Sequence, residues 1–315
     1  MGAGRQLAIS DYVRIAQRMQ IVRLPRDVKL TGQLPAPVKT GLLQLAQRHR
    51  READAYFKQM PVSRPPDNEF RIDAPDQRQP YPLGCCRQIR DRVWGRLSDE
   101  PLVRSLRKQG LSWKKVYFIQ EGREFQNAIQ CGDWLLDVAH DTTDPFKEPV
   151  VLAPLNEPGW ENMDDWRRFA EVATAYYHLS VYPNLYFPLL FPLIPFLAIR
   201  ETGRLEFLYC QQMLFFLDLG DNWQRIRVLL KDQNWMGKTL PPAVETRLLA
   251  MTSSNAEPFP VELRKCAVEE LAGTLREWEQ IQELSKTQVV ATLQNFEKLA
   301  SLAARKLRQA QIILT

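Results

Sequence analysis

Apolar residues along this chain recur first at helical spacing and then at strand spacing, and the changes of period lay out its elements. Ser10 is placed to cap a helix carrying Tyr12, Ile15, Ala16, Met19 and Val22 on one face. Pro35 and Pro37 open a longer helix. Its Val38, Leu42, Leu45, His49, Ala53, Tyr56 and Met60 recur at steps of three and four, a single stripe facing a core. Residues 61–82 hold six prolines among many charges and read as an extended linker or wrapping arm. Ile89, Val93 and Leu97 mark the next helix, and Ser98 is placed to cap a short one that stops at Gly110.

The period then shortens. Residues 114–120, 124–130 and 134–139 read as strands, the last two joined by a hairpin turn at Cys131-Gly132-Asp133. Residues 149–155, bounded by prolines, suit an edge strand. Asn162 is placed to cap a helix with Asp164 and Asp165 in its first turn and an apolar face of Trp166, Phe169, Ala170, Ala173 and Tyr177. From Val172 to Ile199 none of the 28 residues is Asp, Glu, Lys or Arg. A membrane span has that composition, but prolines at 183, 188, 192 and 195 would break a helix repeatedly. The stretch therefore reads as irregular chain threading a core, and residues 196–210 as a second hairpin about Glu201-Thr202-Gly203.

Helical spacing returns towards the C-terminus, with Trp223, Ile226 and Leu230 on one face and Pro241-Pro242 opening another helix. Residues 261–284 carry Val268, Leu271, Leu275 and Trp278. The last helix repeats Val289, Leu293, Phe296, Ala300, Ala303, Leu307, Ala310 and Leu314 in an unbroken heptad seam, expected to pair with the preceding helix or to form a coiled coil. The pattern predicts an α+β chain that is predominantly α-helical, with N-terminal helices, a small antiparallel β meander in the middle and a C-terminal helical hairpin. The segments expected are an N-terminal helical part over 1–60, the arm over 61–83, a central α+β domain over 84–220 and a C-terminal helical region over 221–315.

Composition narrows the class. Of 315 residues 45% are hydrophobic and 25% charged, as in globular chains. The N-terminus lacks an apolar run with a cleavage site, and Gln6 spoils the myristoylation pattern that Gly2 begins, so neither a secretory signal nor a lipid anchor is expected. The five cysteines, 85, 86, 131, 210 and 266, show neither metal spacing nor a disulfide framework, so reduced thiols and a cytoplasmic protein are expected. The net charge of +5 conceals a polarity: residues 1–115 hold 23 Lys/Arg against 11 Asp/Glu, and residues 116–180 hold 4 against 12. The basic third suits a phosphate backbone or an acidic partner, or docks on the acidic middle of its own chain.

Candidate chemistry concentrates in residues 137–144. Asp137, His140, Asp141 and Asp144 place three carboxylates and an imidazole within eight residues, a donor set suited to a divalent metal ion. His178 is the candidate for completing a two-histidine, one-carboxylate set. An aspartate orienting His140 as a general base is the other chemistry available, with His140 and Asp141 as the catalytic candidates. The His140-Asp141 doublet resembles that of the HD-type metal phosphohydrolases. That resemblance implies an upstream histidine and a downstream aspartate, for which His49 and Asp218 or Asp221 are the candidates, and a doublet on a helix. Turn chemistry before Pro145 accounts for the same residues without a site. Elsewhere, Glu121 and Glu124 flank a turn at Gly122, and Cys85-Cys86 stands at a helix start, which favours a thiolate. Arginines interleave with Tyr81, Trp94 and Trp113, as in single-strand nucleic-acid binding.

No nucleotide loop, nucleophile elbow or kinase signature is present, and no cofactor is implied beyond that metal ion. The leading expectation is a non-enzymatic protein-interaction or adaptor protein with no stable membrane insertion. A metal-dependent enzyme, a hydrolase for instance, using residues 137–144 is one alternative; a nucleic-acid-binding protein using the basic third is the other.

Overall fold

A computed structural model describes residues 34–59, 81–156, 159–163, 165–208, 214, 218, 223–251, 260–280 and 286–310. The expected helix after Ser10, most of the proline-rich arm, Cys210 and Asp221 lie outside these residues, as do the side chains of Val289, Leu293 and Phe296. The chain divides into two compact units that meet in sequence at residues 163–164.

In the first unit, α1 (Ala36–Gln59) buries Leu42, Ala46, His49, Arg50 and Ala53. The buried line follows the expected stripe, shifted by part of a turn so that Arg50 stands inside it. Helix α2 (Cys86–Ser98) buries Ile89, Val93 and Leu97, again with an arginine, Arg90, in the row. Helix α3 (Pro101–Lys108) begins on a proline, which needs no hydrogen-bond acceptor there, and not on a Ser98 cap. Ser98 ends α2, and its hydroxyl accepts from the Trp113 indole at 3.1 Å.

Five strands follow: β1 (Trp113–Gln120), β2 (Glu124–Cys131), β3 (Trp134–Asp137), β4 (Val151–Pro154) and β5 (Trp160–Asn162). They form one antiparallel sheet in the order β4-β3-β2-β1-β5. Glu121 and Gly122, with φ of 51° and 70°, turn β1 into β2, two left-handed residues in succession as a tight hairpin requires. One sheet face, with Trp113, Ile129, Cys131 and Leu136, packs in a common core with residues of α1, α2 and α3. The other curls around a small core of Val116, Phe118, Ala128, Leu135 and Leu155 that Trp160 closes. The strands at the two edges, β4 and β5, are separated by only residues 155–159, and the Phe118 and Trp160 rings meet at 5.4 Å.

The second unit opens with α4 (Trp166–Tyr176), capped by Asp165, whose side chain accepts from Arg167 N and Arg168 N. Asn162, the expected cap, is a residue of β5 instead. A second antiparallel sheet joins β6 (Leu179–Pro183), β7 (Phe196–Arg200) and β8 (Leu205–Leu208) in that order. The uncharged stretch supplies β6, β7 and a buried connection through the short turn Pro188–Leu190. Asn184 makes that connection possible: its Nδ2 donates to Ile194 O at 2.8 Å and its Oδ1 accepts from Phe187 N at 3.0 Å. Arg264 N and Cys266 N donate to Tyr186 O and Leu185 O, so residues 261–267, expected as helix, are extended chain that satisfies proline-rich backbone. Helices α5 (Gln224–Lys231), α6 (Gln233–Met236), α7 (Pro242–Ala250), α8 (Val268–Glu279) and α9 (Lys286–Gln309) complete the unit.

The expected fold class needs correction. The chain is mixed α+β with a curled five-stranded sheet and a second, three-stranded one; it is not a predominantly helical chain around a small meander. The N-terminal and C-terminal helices stand where expected in part. Among the described residues the main partners of α8 are α5 and the Pro188–Leu190 turn, and that of α9 is β8, so the expected C-terminal hairpin is supported only in part. No described helix is long and apolar enough to cross a membrane.

The heptad seam of α9 is buried at Ala300, Ala303 and Leu307, the last only 1% exposed. Leu307→Ala should therefore lower unfolding stability by about 2–5 kcal/mol, read by denaturant melts. An unchanged midpoint would show this part of the seam to be idle.

Candidate functional site

The densest polar constellation centres on Arg50, a residue the sequence pattern alone does not single out. It lies on the buried face of α1, 2% exposed. A guanidinium carries five N–H donors and no acceptor, so burying it requires an acceptor for each. Nε donates to Asp54 Oδ1 at 2.7 Å, one turn along α1. Nη1 and Nη2 donate to the two oxygens of Asp141 at 2.7 and 2.8 Å, the bidentate fork–fork pair. Nη1 also donates to Val138 O at 2.9 Å and to Pro149 O at 3.2 Å. The Tyr81 hydroxyl donates to the same Asp54 oxygen. Burial alone would depress the Arg50 pKa; the hydrogen bonds and charges of Asp141 and Asp54 reverse the sign and hold it above its ordinary value. Burial, with the bond to Asp54, also pushes the Tyr81 phenol above its usual range.

These bonds fix the loop between β3 and β4. Val138 and Pro149 stand at its two ends and Asp141 three residues in from the first, so one guanidinium ties all three to α1. Pro149 O accepts from His140 N as well, at 3.3 Å, and Thr142 O accepts from Gly84 N at 3.0 Å just before α2. Beyond these ties the tip bends on itself. Asp144 Oδ1 accepts from Phe146 N at 2.9 Å, and Asp144 O accepts from Lys147 N at 3.1 Å. The Lys147 ammonium lies 3.5 Å from Glu121 and 3.7 Å from Glu124, against the β1–β2 turn. On this held tip the Phe146 side chain is 97% exposed.

The residues expected to form a metal site do not converge: Asp137 and His140 face each other, and the rest are engaged apart from them. Asp137 is fully buried; its Oδ1 accepts from Ala139 N at 2.9 Å and its Oδ2 faces His140 Nδ1 at 3.1 Å. A carboxylate at that distance pairs with a proton on Nδ1, the arrangement in which Asp137 orients the ring. Gln120 Nε2 lies 3.4 Å from the same ring nitrogen. Asp141 belongs to Arg50 and Asp144 to its own turn. His178 follows α4 in the other unit, exposed, with a left-handed φ of 52°. Among the described residues no three His, Cys, Asp or Glu side chains are grouped to hold a metal ion.

The doublet expected from the phosphohydrolase resemblance is likewise divided: His140 turns to Asp137 and Asp141 to Arg50, in a short 3-10 turn (His140–Thr142). Of that family's remaining candidates, His49 lies between Glu52 and Glu100 at 2.9 and 2.7 Å. Asp218 accepts from the Trp166 indole and from Arg225 N and Ile226 N at the start of α5.

The weaker candidates are placed as follows. Cys86 opens α2, but burial raises its thiol pKa against the help of the Asn127 amide, which lies 3.1 Å from the sulfur, and of Arg90. Glu121 and Glu124 sit beside Lys147 at the turn. Trp94 and Trp113 stack on each other at 5.3 Å, and the basic side chains around them pair with acids: Arg48 with Glu100, and Arg90 and Lys115 with Asp91. The Arg50–Asp141 pair joins the basic third of the chain to its acidic middle. Comparison with family models, curated proteins and solved structures gives no match.

Arg50→Ala leaves Asp141 buried without its cation and should cost about 3–5 kcal/mol, read by urea unfolding. Pairing Arg50→Met with Asp141→Leu should recover much of that loss; additive losses in the double variant would mean the two side chains are not coupled. A separate pH dependence follows from Cys131, whose thiol is pushed from 9.0 up to about 12 by burial first and the Asp133 charge second. Its contribution to stability is complete below pH 9.0 and is lost as the pH rises towards about 12. The parent should therefore lose more stability than Cys131→Ala across that window in alkaline melts.

Proposed function

We propose that this chain acts by binding another protein and performs no chemistry of its own. The observation that carries this reading is Phe146, 97% exposed on a loop that Arg50 ties to α1 at both ends and at Asp141. Leaving a phenylalanine in water forgoes about 1.5–3 kcal/mol of burial. A flexible loop can recover that by folding the ring onto the nearest apolar surface. Here the Asp144 turn, the Lys147 ion pairs and the guanidinium hold the tip in place. An aromatic ring on a pre-ordered support loses little conformational freedom on docking, which is the character of an interface anchor. Pro145, Glu148 and Pro149 are exposed around it, and Asp144 is half-buried, so an apolar centre is flanked by carboxylates. The partner surface that fits has an apolar pocket with hydrogen-bond donors or cations at its rim.

The dense polar cluster supports the same reading, because its carboxylates are committed to holding the loop. The heptad seam of α9 offers no partner surface at Ala300, Ala303 and Leu307, which are already covered.

The test replaces Phe146 by photoreactive benzoylphenylalanine and irradiates the protein in its native cells. A discrete protein adduct is expected from position 146. None is expected from the same replacement at Val228, the other exposed large apolar residue among the described residues, which is 49% exposed. Phe146→Asp should abolish the association while leaving the melting temperature within about 2 °C, as befits an exposed side chain. Equal labelling from both positions, or no adduct at 146, would sink the reading.

A further inference from the structure

The outer faces of the three helices of the first unit carry charge of one sign. Residues 34–51 hold four Lys or Arg and residues 101–120 hold five, and neither stretch contains an Asp or Glu. On α3, Val103 and Leu106 turn inward, so the helical period sends Arg104, Arg107 and Lys108 to the solvent side. Arg48 and Arg51 on α1 and Arg96 on α2 are exposed as well. These faces adjoin: Arg48 pairs with Glu100 at the start of α3, and the charges of Arg48 and Arg96 both bear on Glu52. Among the described residues no carboxylate forms an ion pair with Arg51, Arg96, Arg104, Arg107 or Lys108.

The nearby acids do not offset these heads. Glu100 is half-buried, accepts from Arg48 and faces one nitrogen of the His49 ring, and Glu52 faces the other. Asp99, exposed between α2 and α3, is the carboxylate that opposes an incoming anion. Unpaired cations held side by side repel one another, and a polyanion relieves that repulsion while releasing its own counterions.

Two features choose the polyanion. The heads are chiefly guanidinium groups, whose planar fork matches phosphate oxygens. The face also lacks a large exposed apolar side chain: among the described residues those are Phe146 and Val228, on the β3–β4 loop and on α5. A protein interface needs such an anchor near its centre, and a helix lying on a lipid surface needs an apolar face to bury. A phosphate backbone needs neither. Single strands are held by stacking bases on open rings. Here Trp94 and Trp113 stack on each other, and Arg92 covers the Tyr56 ring at 3.4 Å. We propose that the outer faces of α1, α2 and α3 bind the phosphate backbone of a nucleic-acid duplex, with Arg51, Arg96, Arg104, Arg107 and Lys108 as the contacts and without reading base sequence. This surface shares no residue with the Phe146 loop, so it stands or falls apart from that anchor.

Fluorescence anisotropy of the full chain with short labelled DNA and RNA duplexes of mixed sequence reads this directly. Each phosphate contact contributes about −0.9 to the slope of log K against log salt, so five contacts give about −4.5 and binding roughly 500-fold weaker at about 200 mM than at about 50 mM salt. Arg96→Gln with Arg104→Gln should weaken binding about tenfold or more at the lower salt and make the slope shallower by about 2. Both side chains are exposed, so this variant should melt like the parent. Asp99→Asn removes the opposing charge and should tighten binding. Lys231→Gln with Arg276→Gln, which removes exposed cations of the second unit, should leave affinity and slope unchanged, as should Phe146→Asp. A preference between the two duplexes names the polymer. No duplex binding up to about 100 µM at the lower salt, the weak end of non-specific association, overturns the proposal. So does an Arg96→Gln, Arg104→Gln chain that binds like the parent. A single strand, or vesicles of anionic phospholipid, bound more tightly than either duplex also removes the duplex as the occupant.

Discussion

A buried guanidinium whose three nitrogens each donate to the chain around it is the constraint on which the first unit depends. Removing Arg50 from water costs several kcal/mol, and a carboxylate paired with it has a similar cost of its own. Such a pair is tolerated only when geometry is good and the remaining donors find acceptors. That condition determines where other parts of the chain must be. Val138 O, Asp141 and Pro149 O lie 88, 91 and 99 residues from Arg50, and all three must meet one side chain on α1. An apolar residue at position 50 would pack α1 against the sheet equally well. It would leave Val138 O without its donor and Pro149 O with only the His140 amide, and the loop would lose its tie to α1. The ion pair thus contributes less to net stability than to the definition of one loop conformation.

The same reasoning separates what was legible in the sequence from what was not. Elements set by their own periodicity were legible: α1, α2, the β1–β2–β3 run and the apolar face of α4 follow from spacing of three, four or two. Elements set by a distant partner were not. The three residues of β5 carry no strand pattern and are strand because Phe118, Ile119 and Gln120 pair with them. At the start of α4 the sequence places the cap at Asn162, with Asp165 inside the first turn. Pairing of Asn162 with Phe118 in the sheet left Asp165 as the cap. Residues 261–267 read as helix from their apolar positions but are extended, since they supply donors to carbonyls in the proline-rich stretch. The breadth of the β structure was missed for the same reason, because edge strands are made by their neighbours.

The site was half legible. Spacing alone flagged residues 137–144 as the densest polar segment, and they do lie at the centre of the constellation. What they do there depends on Arg50. An arginine flanking an apolar stripe ordinarily runs its stem along the surface with its head in water, and only the loop packed over α1 makes this one buried. Once Asp141 is given to the guanidinium, the remaining donors cannot converge on one ion: Asp137 is turned to the Ala139 amide and His140, and Asp144 to the Phe146 amide. Three carboxylates within eight residues are as well suited to shaping a loop as to binding a metal. The difference lies in how many of their oxygens the backbone and the nearest cation have already taken.

Phe146 illustrates the limit of reading burial from residue type. Hydrophobic patterning assigns a side to residues in helices and strands, because the period fixes where each side chain points. In a loop there is no period, and a phenylalanine between Pro145 and Lys147 carries no signal of its orientation. Its exposure follows from two short-range bonds at Asp144 and from ties tens of residues away in sequence. The polar residues of 137–149 and the single large apolar one therefore have one explanation. The aspartates, the histidine and the loop carbonyls are spent on rigidity, and rigidity is what keeps an aromatic ring in water where relaxation of the loop would otherwise cover it. A chain under no demand to present that ring has simpler solutions available, since any polar residue at 146 would spare it the solvent-exposed apolar area. The cost of display and the device that enforces it occur together on thirteen consecutive residues, and this pairing, more than the exposure alone, is what supports the proposal that the loop is a binding element.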